Sequence, residues 1–381
     1  MTGNVIDLQT LQQQMLAQAK PSPAAPALSS VQDAGKPLLV DGCEFLDNAT
    51  PPSWLIERVL QDGQVVSLTA PTNSGKTAVL LAMIMSVLSG QSFGPHAVRR
   101  PGRVLVLCGE DPDGFRLRML ATMQHMQVER RQIAGNLRIV PKAMALNEAL
   151  PEIQRECAEW GEVALVVVDT SVAFFSGADE NNNVEAYAHA LDLRALHELP
   201  GKPTVVVACH PSDGAERARC KPRGGSALLN EIDCNLILWC EQDGVTELHW
   251  SVKKRGPDFD PLWFEFIGQQ VECMGEKSMQ VVAAWVNDER AHDRKLQHYH
   301  DDNRLLVAML GGPNDSLRTW ARAAGFMCGA EKENAQISKV QRCLVRLIKH
   351  TLVARGFSAS GYVLTAKGKS AAEAAQHDRG H

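Results

Sequence analysis

Five short apolar runs punctuate the first two thirds of the chain: VVSLTA (65–70), RVLVLC (103–108), LRIV (137–140), ALVVVD (164–169) and PTVVVACH (203–210). Runs this continuously apolar suit strands covered on both faces, as in a parallel sheet. Between them lie stretches with helical spacing of apolar residues, at 75–89, 112–126, 148–158 and 183–198. Such alternation predicts an α/β fold with right-handed crossovers. After Arg223 the pattern changes. CNLILWC, TELHWSV, LWFEFI and MQVVAAW follow one another with turns and no long helix between them, which predicts antiparallel strands added at the sheet edge.

The two ends read differently. In residues 1–36, Leu8, Leu11, Met15 and Leu16 can line one face of a short helix, and PSPAAPALSS (21–30) then reads as a flexible linker. A docking tail and a disordered leader are both open. From Arg290, helical patterns recur at 303–310, 316–324 and 337–350, followed by short strands around Leu352 and Val363 that flank a Gly/Ser turn. Three helices and a hairpin are the order of a winged helix-turn-helix, with a plain helical cap as the alternative. The expected organisation is a tail and linker over 1–37, an α/β domain over 38–289 and a C-terminal domain over 290–381.

Composition narrows the class. With 381 residues, 45% of them hydrophobic, the chain can bury a full core and make two domains. The longest apolar run, Ala78 to Leu88, is far short of the roughly 20 residues that span a bilayer, so no membrane segment is expected. The polar N-terminus lacks the features of a secretory signal. Ten cysteines without a CxxC pair fit neither a zinc site nor a disulfide framework, and suggest a reducing, cytoplasmic setting. The net charge of −5 argues weakly against nucleic acid, but it is uneven: from Arg290 onward there are 15 Lys+Arg against 8 Asp+Glu. A basic end attracts phosphate backbones, or is simply a solvated helical surface.

The most specific motif is Ala70-Pro71-Thr72-Asn73-Ser74-Gly75-Lys76-Thr77. It matches GxxxxGK[ST] with Ala70 in place of the first glycine, and it lies between an apolar strand and an apolar helix. A loop so placed aims backbone N–H groups at phosphate oxygens. Gly75 lets the backbone approach, Lys76 brings a cation to the β- and γ-phosphates, and Thr77 offers a hydroxyl to Mg²⁺. Asp169 ends a buried strand, where it can hold Mg²⁺ through water or cap the following loop. Glu110 and its rival Asp111 follow another strand, where a carboxylate can polarise an attacking water or be a solvated loop acid. His210, closing VVACH, is either a γ-phosphate sensor or a satisfied imidazole under a loop.

In order, APTNSGKT, LCGEDP, LVVVDT, VVACH and RGGSALLNEIDC resemble RecA-like hexameric ATPases over about residues 50–270. The likeness is greatest to RepA-type replicative helicases of plasmids and phages, with DnaB-type helicases and RecA more distant. Ala70 departs from the pattern, as does a single histidine where the plasmid helicases tend to carry two. The resemblance implies a RecA-like fold that binds ATP and Mg²⁺, with Glu110 as catalytic carboxylate, Asp169 as the Mg²⁺-associated acid and His210 as coupling residue. It implies that segment 211–223 faces a central channel, where Arg217, Arg219, Lys221 and Arg223 grip single-stranded DNA through its phosphates; an ordinary exposed loop is the alternative. It further implies that Lys253 and Arg255, spaced K-x-R, reach the neighbouring subunit's γ-phosphate in a homo-hexamer. The C-terminal region is extra to the minimal plasmid helicase. There, Ser316–Phe326 and Ile337–His350 would form the helix pair, Arg342, Arg346 and Lys349 would face a groove of duplex DNA or its phosphates, and Lys367 and Lys369 would lie at or just beyond the wing; loading the motor at an origin and binding a protein partner are both open.

Three functions follow: a replicative or mobile-element DNA helicase, a DNA-associated ATPase that does not unwind, and a kinase-like phosphotransferase. The K-x-R pair and the lack of a recognisable lid weigh against the third.

Overall fold

The computed structural model describes residues 39–212, 214–241, 245–311, 316–327, 333–356 and 361–377, without the side chains of 225, 241, 294–296 and 333–335. The apolar positions of the leader, Leu8 to Leu16, therefore lie outside the described residues. The chain divides into two units, Met1–Pro51 and Pro52–His381. In the first, helix α1 (Gly42–Asp47) is capped by Asp41, whose Oδ1 accepts from the Cys43 and Glu44 amides at 2.9 and 3.3 Å.

The second unit opens with a small antiparallel pair, β1 (Trp54–Ile56) and β2 (Leu60–Gln61). A nine-stranded sheet follows: β3 (Val65–Thr69), β4 (Arg103–Cys108), β5 (Leu137–Val140), β6 (Val163–Asp169), β7 (Thr204–Cys209), β8 (Cys234–Glu241), β9 (Val245–Lys254), β10 (Leu262–Cys273) and β11 (Glu276–Val286). Its spatial order is β11-β10-β9-β8-β3-β7-β6-β4-β5. The six strands from β8 to β5 run parallel, and β9, β10 and β11 are antiparallel additions. One sequence expectation is corrected in part: CNLILWC pairs antiparallel with β9 but belongs to the parallel sheet, because β8 pairs parallel with β3 through Val66–Cys234 to Thr69–Ile237. Helix α7 (Gly225–Glu231), too short to stand out in the sequence, makes the crossover a parallel neighbour requires.

Both faces of the parallel sheet are covered, as its apolar runs require. Helices α2 (Lys76–Ser89) and α3 (Pro112–Met126) pack on one face with Val66, Leu68, Val106 and Val167. Beyond α3 come a short helix, α4 (Arg130–Ile133), and on the other face α5 (Leu146–Trp160) and α6 (Asn183–Ala195), packed with Val65, Leu105, Val166 and Val207. Helix α2 is buried all round, because the long β10–β11 hairpin contacts α2 and α3. Leu80, Leu81, Met83 and Ile84 are buried, each contributing about 1.5–3 kcal/mol of apolar burial.

The C-terminal region has its own core, in which Leu305, Trp320, Val340, Leu344 and Ala372 meet. It is built from α8 (Asp288–Leu310), α9 (Leu317–Ala323), α10 (Glu333–Lys349), an antiparallel pair β12 (Val353–Arg355) and β13 (Tyr362–Leu364), and α11 (Ala366–His377). Helix α8 starts well before the expected 303, capped by Asn287 onto the Arg290 amide at 3.0 Å. The sequence signal was missing because DERAHDRKLQHYHDD has no apolar stripe. Helix α11 was not expected. It packs through small residues: a Cβ on Gly368 would lie 1.8 Å from the Leu352 carbonyl oxygen. Arg346 is another correction. It is buried and forked onto Asp302 at 2.6–3.1 Å, so it does not share the outward face of Arg342 and Lys349. Among the described residues no helix is long and apolar enough to cross a membrane.

Candidate nucleotide site

The loop from Ala70 to Thr77 joins the C-terminal end of β3 to the N-terminus of α2, where free helix amides favour an anion. Two of its residues are left-handed, Asn73 at φ +63° and Gly75 at φ +82°. Ala70 has no positive φ; its amide donates to the Cys209 carbonyl of β7 at 3.1 Å, so the first loop position does not need glycine's freedom. Gly75 does. Besides its φ, it lies under Phe266 of β10, whose Cζ would be 1.9 Å from an added Cβ. Ser74 Oγ donates to the Pro71 carbonyl at 2.7 Å, while Thr72 and Asn73 are exposed. Lys76 is buried, and its Nζ donates to the Ala70 and Pro71 carbonyls at 2.7 and 3.3 Å. Burial pulls its pKa down, opposed chiefly by the charge of Asp169.

Asp169 ends β6, two strands from β3, and is buried. Thr77 Oγ1 donates to its Oδ2 at 2.9 Å, and Oδ1 is buried without a hydrogen-bond partner. Burial pushes the carboxyl pKa up, the Thr77 hydrogen bond draws it back, and the charge of Glu110 raises it again. A buried acid with one orphaned oxygen beside a helix-terminal hydroxyl fits Mg²⁺, which is held by one or two protein oxygens together with phosphate and water.

Glu110 lies two residues beyond β4 and accepts from Thr170 Oγ1 at 2.5 Å. His210 Nε2 is 4.0 Å from the same oxygen, Oε1, and burial followed by the Lys76 charge lowers the imidazole pKa. Asp111 has a different occupation. Its Oδ1 accepts the Gly114 amide at 2.9 Å as the N-cap of α3, and its Oδ2 pairs with Arg118 Nη2 at 3.0 Å. Thr77, Cys108, Glu110, Asp111, Phe115, Arg118 and Asp169 line a cavity of about 240 Å³. The structure thus brings Lys76, Thr77, Glu110, Asp169 and His210 together. Sequence reasoning missed Arg118 and Phe266. The first stands seven residues, two helical turns, after Asp111, which was a readable signal; nothing local announced the second.

Segment 211–223 leaves His210 and returns to it, with the Arg223 amide on the His210 carbonyl at 2.8 Å and the Ser212 amide on that of Lys221 at 3.0 Å. Its four cations are not alike. Arg217 is exposed, but its guanidinium is forked onto buried Glu247 of β9, with Nε–Oε2 2.6 Å and Nη2–Oε1 2.5 Å, so its charge is already paired within the chain. Arg219 and Lys221 are exposed and Arg223 is half-buried.

Lys253 and Arg255 sit at the opposite end of the sheet from the loop. Lys253 Nζ donates to the Leu229 and Asn230 carbonyls near the end of α7 at 2.9 and 2.6 Å. Arg255 Nη1 pairs with Asp233 at 2.7 Å, and Asp233 Oδ2 accepts the Val65 amide at the start of β3. The length of β3, about 13 Å, separates that point from the P-loop, so neither cation reaches its own subunit's phosphates.

Residues 33–216 match the family model of the AAA domain. That match, just under half of the chain, contains the P-loop, Glu110, Asp169 and His210, and is a likeness to P-loop ATPase domains, a type that binds nucleotide, usually with Mg²⁺. Lys253, Arg255 and Phe266 lie beyond it. No curated protein matched the chain.

Proposed function

We propose that this AAA-domain protein hydrolyses ATP as a ring-forming motor on single-stranded DNA, a replicative or mobile-element helicase. The observation that carries the ATPase chemistry is the convergence of Thr77, Asp169 and Glu110 on one cavity at the foot of the P-loop. In this reading Lys76 turns from the Ala70 and Pro71 carbonyls to the β- and γ-phosphates. Mg²⁺ held by Thr77 and Asp169 supplies charge neutralisation on the phosphates. Glu110 takes the proton of the attacking water, whose oxygen bonds to the γ-phosphorus as the β–γ bridging bond breaks, leaving ADP and phosphate. His210, beside Glu110, carries the state of the site into segment 211–223.

Two observations support the DNA and ring parts. The cations of Arg219, Lys221 and Arg223 lie on a segment that begins and ends at His210, so phosphates gripped there adjoin the hydrolytic site. Arg255, solvent-exposed and remote from its own loop, suits action on a neighbour's nucleotide, which needs head-to-tail assembly such as a hexameric ring. The C-terminal region, with Arg342 and Lys349 outward, would contact duplex DNA or a loading partner. The test is a forked-duplex unwinding assay with ATP: strand separation that fails for Arg255→Ala is expected. Hydrolysis that DNA stimulates while the fork stays closed would replace the helicase with a non-unwinding DNA-associated ATPase.

A further inference from the structure

Segment 211–223 is docked on the sheet rather than looped free, and one side chain joins it to the strand that feeds the P-loop. Asn235 of β8 is fully buried. Its Nδ2 donates to the Cys220 carbonyl of the segment at 2.9 Å and to the Ser251 carbonyl of β9 at 3.1 Å. Its Oδ1 accepts from Ser67 Oγ and Thr69 Oγ1 of β3, both at 2.8 Å. All four hydrogen-bonding capacities of the amide are therefore used. Thr69 directly precedes Ala70, the first residue of the P-loop. Farther along the segment, Ser251 Oγ donates to the Ala218 carbonyl at 2.8 Å, and Glu247 grips Arg217. Those contacts tie the segment to β9 alone. The Asn235 amide bridges it to β3.

Hydroxyls are out of place on a central parallel strand, where an apolar residue would fill the same volume without needing a partner. Ser67 and Thr69 are both 0% exposed, and the amide oxygen satisfies both. A satisfied buried network of this kind has one arrangement and moves as a unit. A shift of Cys220 therefore displaces the amide, and with it the end of β3 that sets the P-loop.

We infer that Asn235 is a positioning residue, linking DNA held on segment 214–223 to the P-loop through Ser67 and Thr69, so that the link sets how strongly single-stranded DNA speeds hydrolysis. This deepens the motor reading and rests on it.

The test measures steady-state ATP hydrolysis by the full chain with and without oligo-dT, for the wild type, Asn235→Ala and the double variant Ser67→Ala/Thr69→Val. The double variant cuts the link on the β3 side, nearly keeps the shapes, and leaves both amide donors on their carbonyls, so it remains informative if Asn235→Ala does not fold. The expected result is an unstimulated kcat and an ATP KM close to wild type, with the DNA stimulation ratio reduced about fivefold or more. A merely structural role would instead lower both rates together. If the wild type is stimulated and the folded variants are stimulated as strongly, the inference is overturned while the motor reading stands. If DNA does not stimulate the wild type, the motor reading fails and this inference falls with it.

Discussion

Replacing Glu110 by Gln separates the two acids that follow β4. Thr170 donates to Glu110 Oε1 at 2.5 Å, and the carbonyl oxygen of glutamine can accept the same bond, so the side chain keeps its place and loses only its charge and basicity. A positioned general base is worth about 10²–10⁴ in rate, or about 3–5 kcal/mol of barrier. The expected kcat loss for Glu110→Gln lies in that range. ATP affinity should hold within about twofold, because Glu110 is bonded to Thr170 rather than to the P-loop and the charge of a half-exposed carboxylate is screened. Asp111→Asn is the matched control. Asparagine caps a helix about as well as aspartate, and the exposed pair with Arg118 is worth about 0.2–1 kcal/mol. That variant should keep kcat within about threefold and lose little stability. Single-turnover hydrolysis alongside nucleotide titration reads both quantities. An inactive Asp111→Asn beside an active Glu110→Gln would refute the assignment and the geometry behind it.

Three further outcomes follow from named contacts. Asp169→Asn removes the charge that faces the Thr77 hydroxyl; the extra thermal stabilisation that ATP gives with Mg²⁺ over ATP with EDTA should vanish, and its persistence would place the cation elsewhere. His189 of α6 is buried, and burial pulls its pKa from 6.5 to about 4. The unfolded chain then binds the extra proton between those values, so stability falls as pH drops through that window, by on the order of 3 kcal/mol in full; urea titrations of wild type and His189→Gln across that window should show a shallower acid limb in the variant. Arg346→Ala leaves Asp302 without its forked partner and should cost about 3–5 kcal/mol, whereas Arg342→Ala on the outer face should stay within about 0.5 kcal/mol; equal thermal shifts would contradict the burial of Arg346.

What the sequence made legible depended on the range of each signal. The apolar runs placed β3, β4, β5, β6 and β7 within a residue or so, because burial on both faces leaves a continuous signature. Pairing direction left no such mark, so the parallel pairing of β8 with β3 was missed while its antiparallel pairing with β9 was expected. The first half of α8 was invisible because a helix lying over few apolar contacts needs no stripe, and α11 because Gly368, Ala372 and Ala375 pack by being small. The P-loop and the residues that end β6 and β7 were readable because sheet topology carries strand termini to one edge. Lateral contacts were not. Spacing alone could not tell that Arg346 turns inward and Arg342 outward, that Arg217 is taken by Glu247, or that Phe266 from a distant hairpin closes over Gly75. Asn235, inside the apolar run CNLILWC, drew no notice because its partners lie about 15 and 170 residues away.

The most direct test of the account is ATP hydrolysis by the purified chain with and without single-stranded DNA, with Lys76→Ala as the reference. The account predicts Mg²⁺-dependent hydrolysis that rises several-fold with DNA and disappears in the variant, whose phosphates lose their cation. Hydrolysis that survives Lys76→Ala would contradict the placement of the site, and hydrolysis indifferent to DNA would contradict the motor.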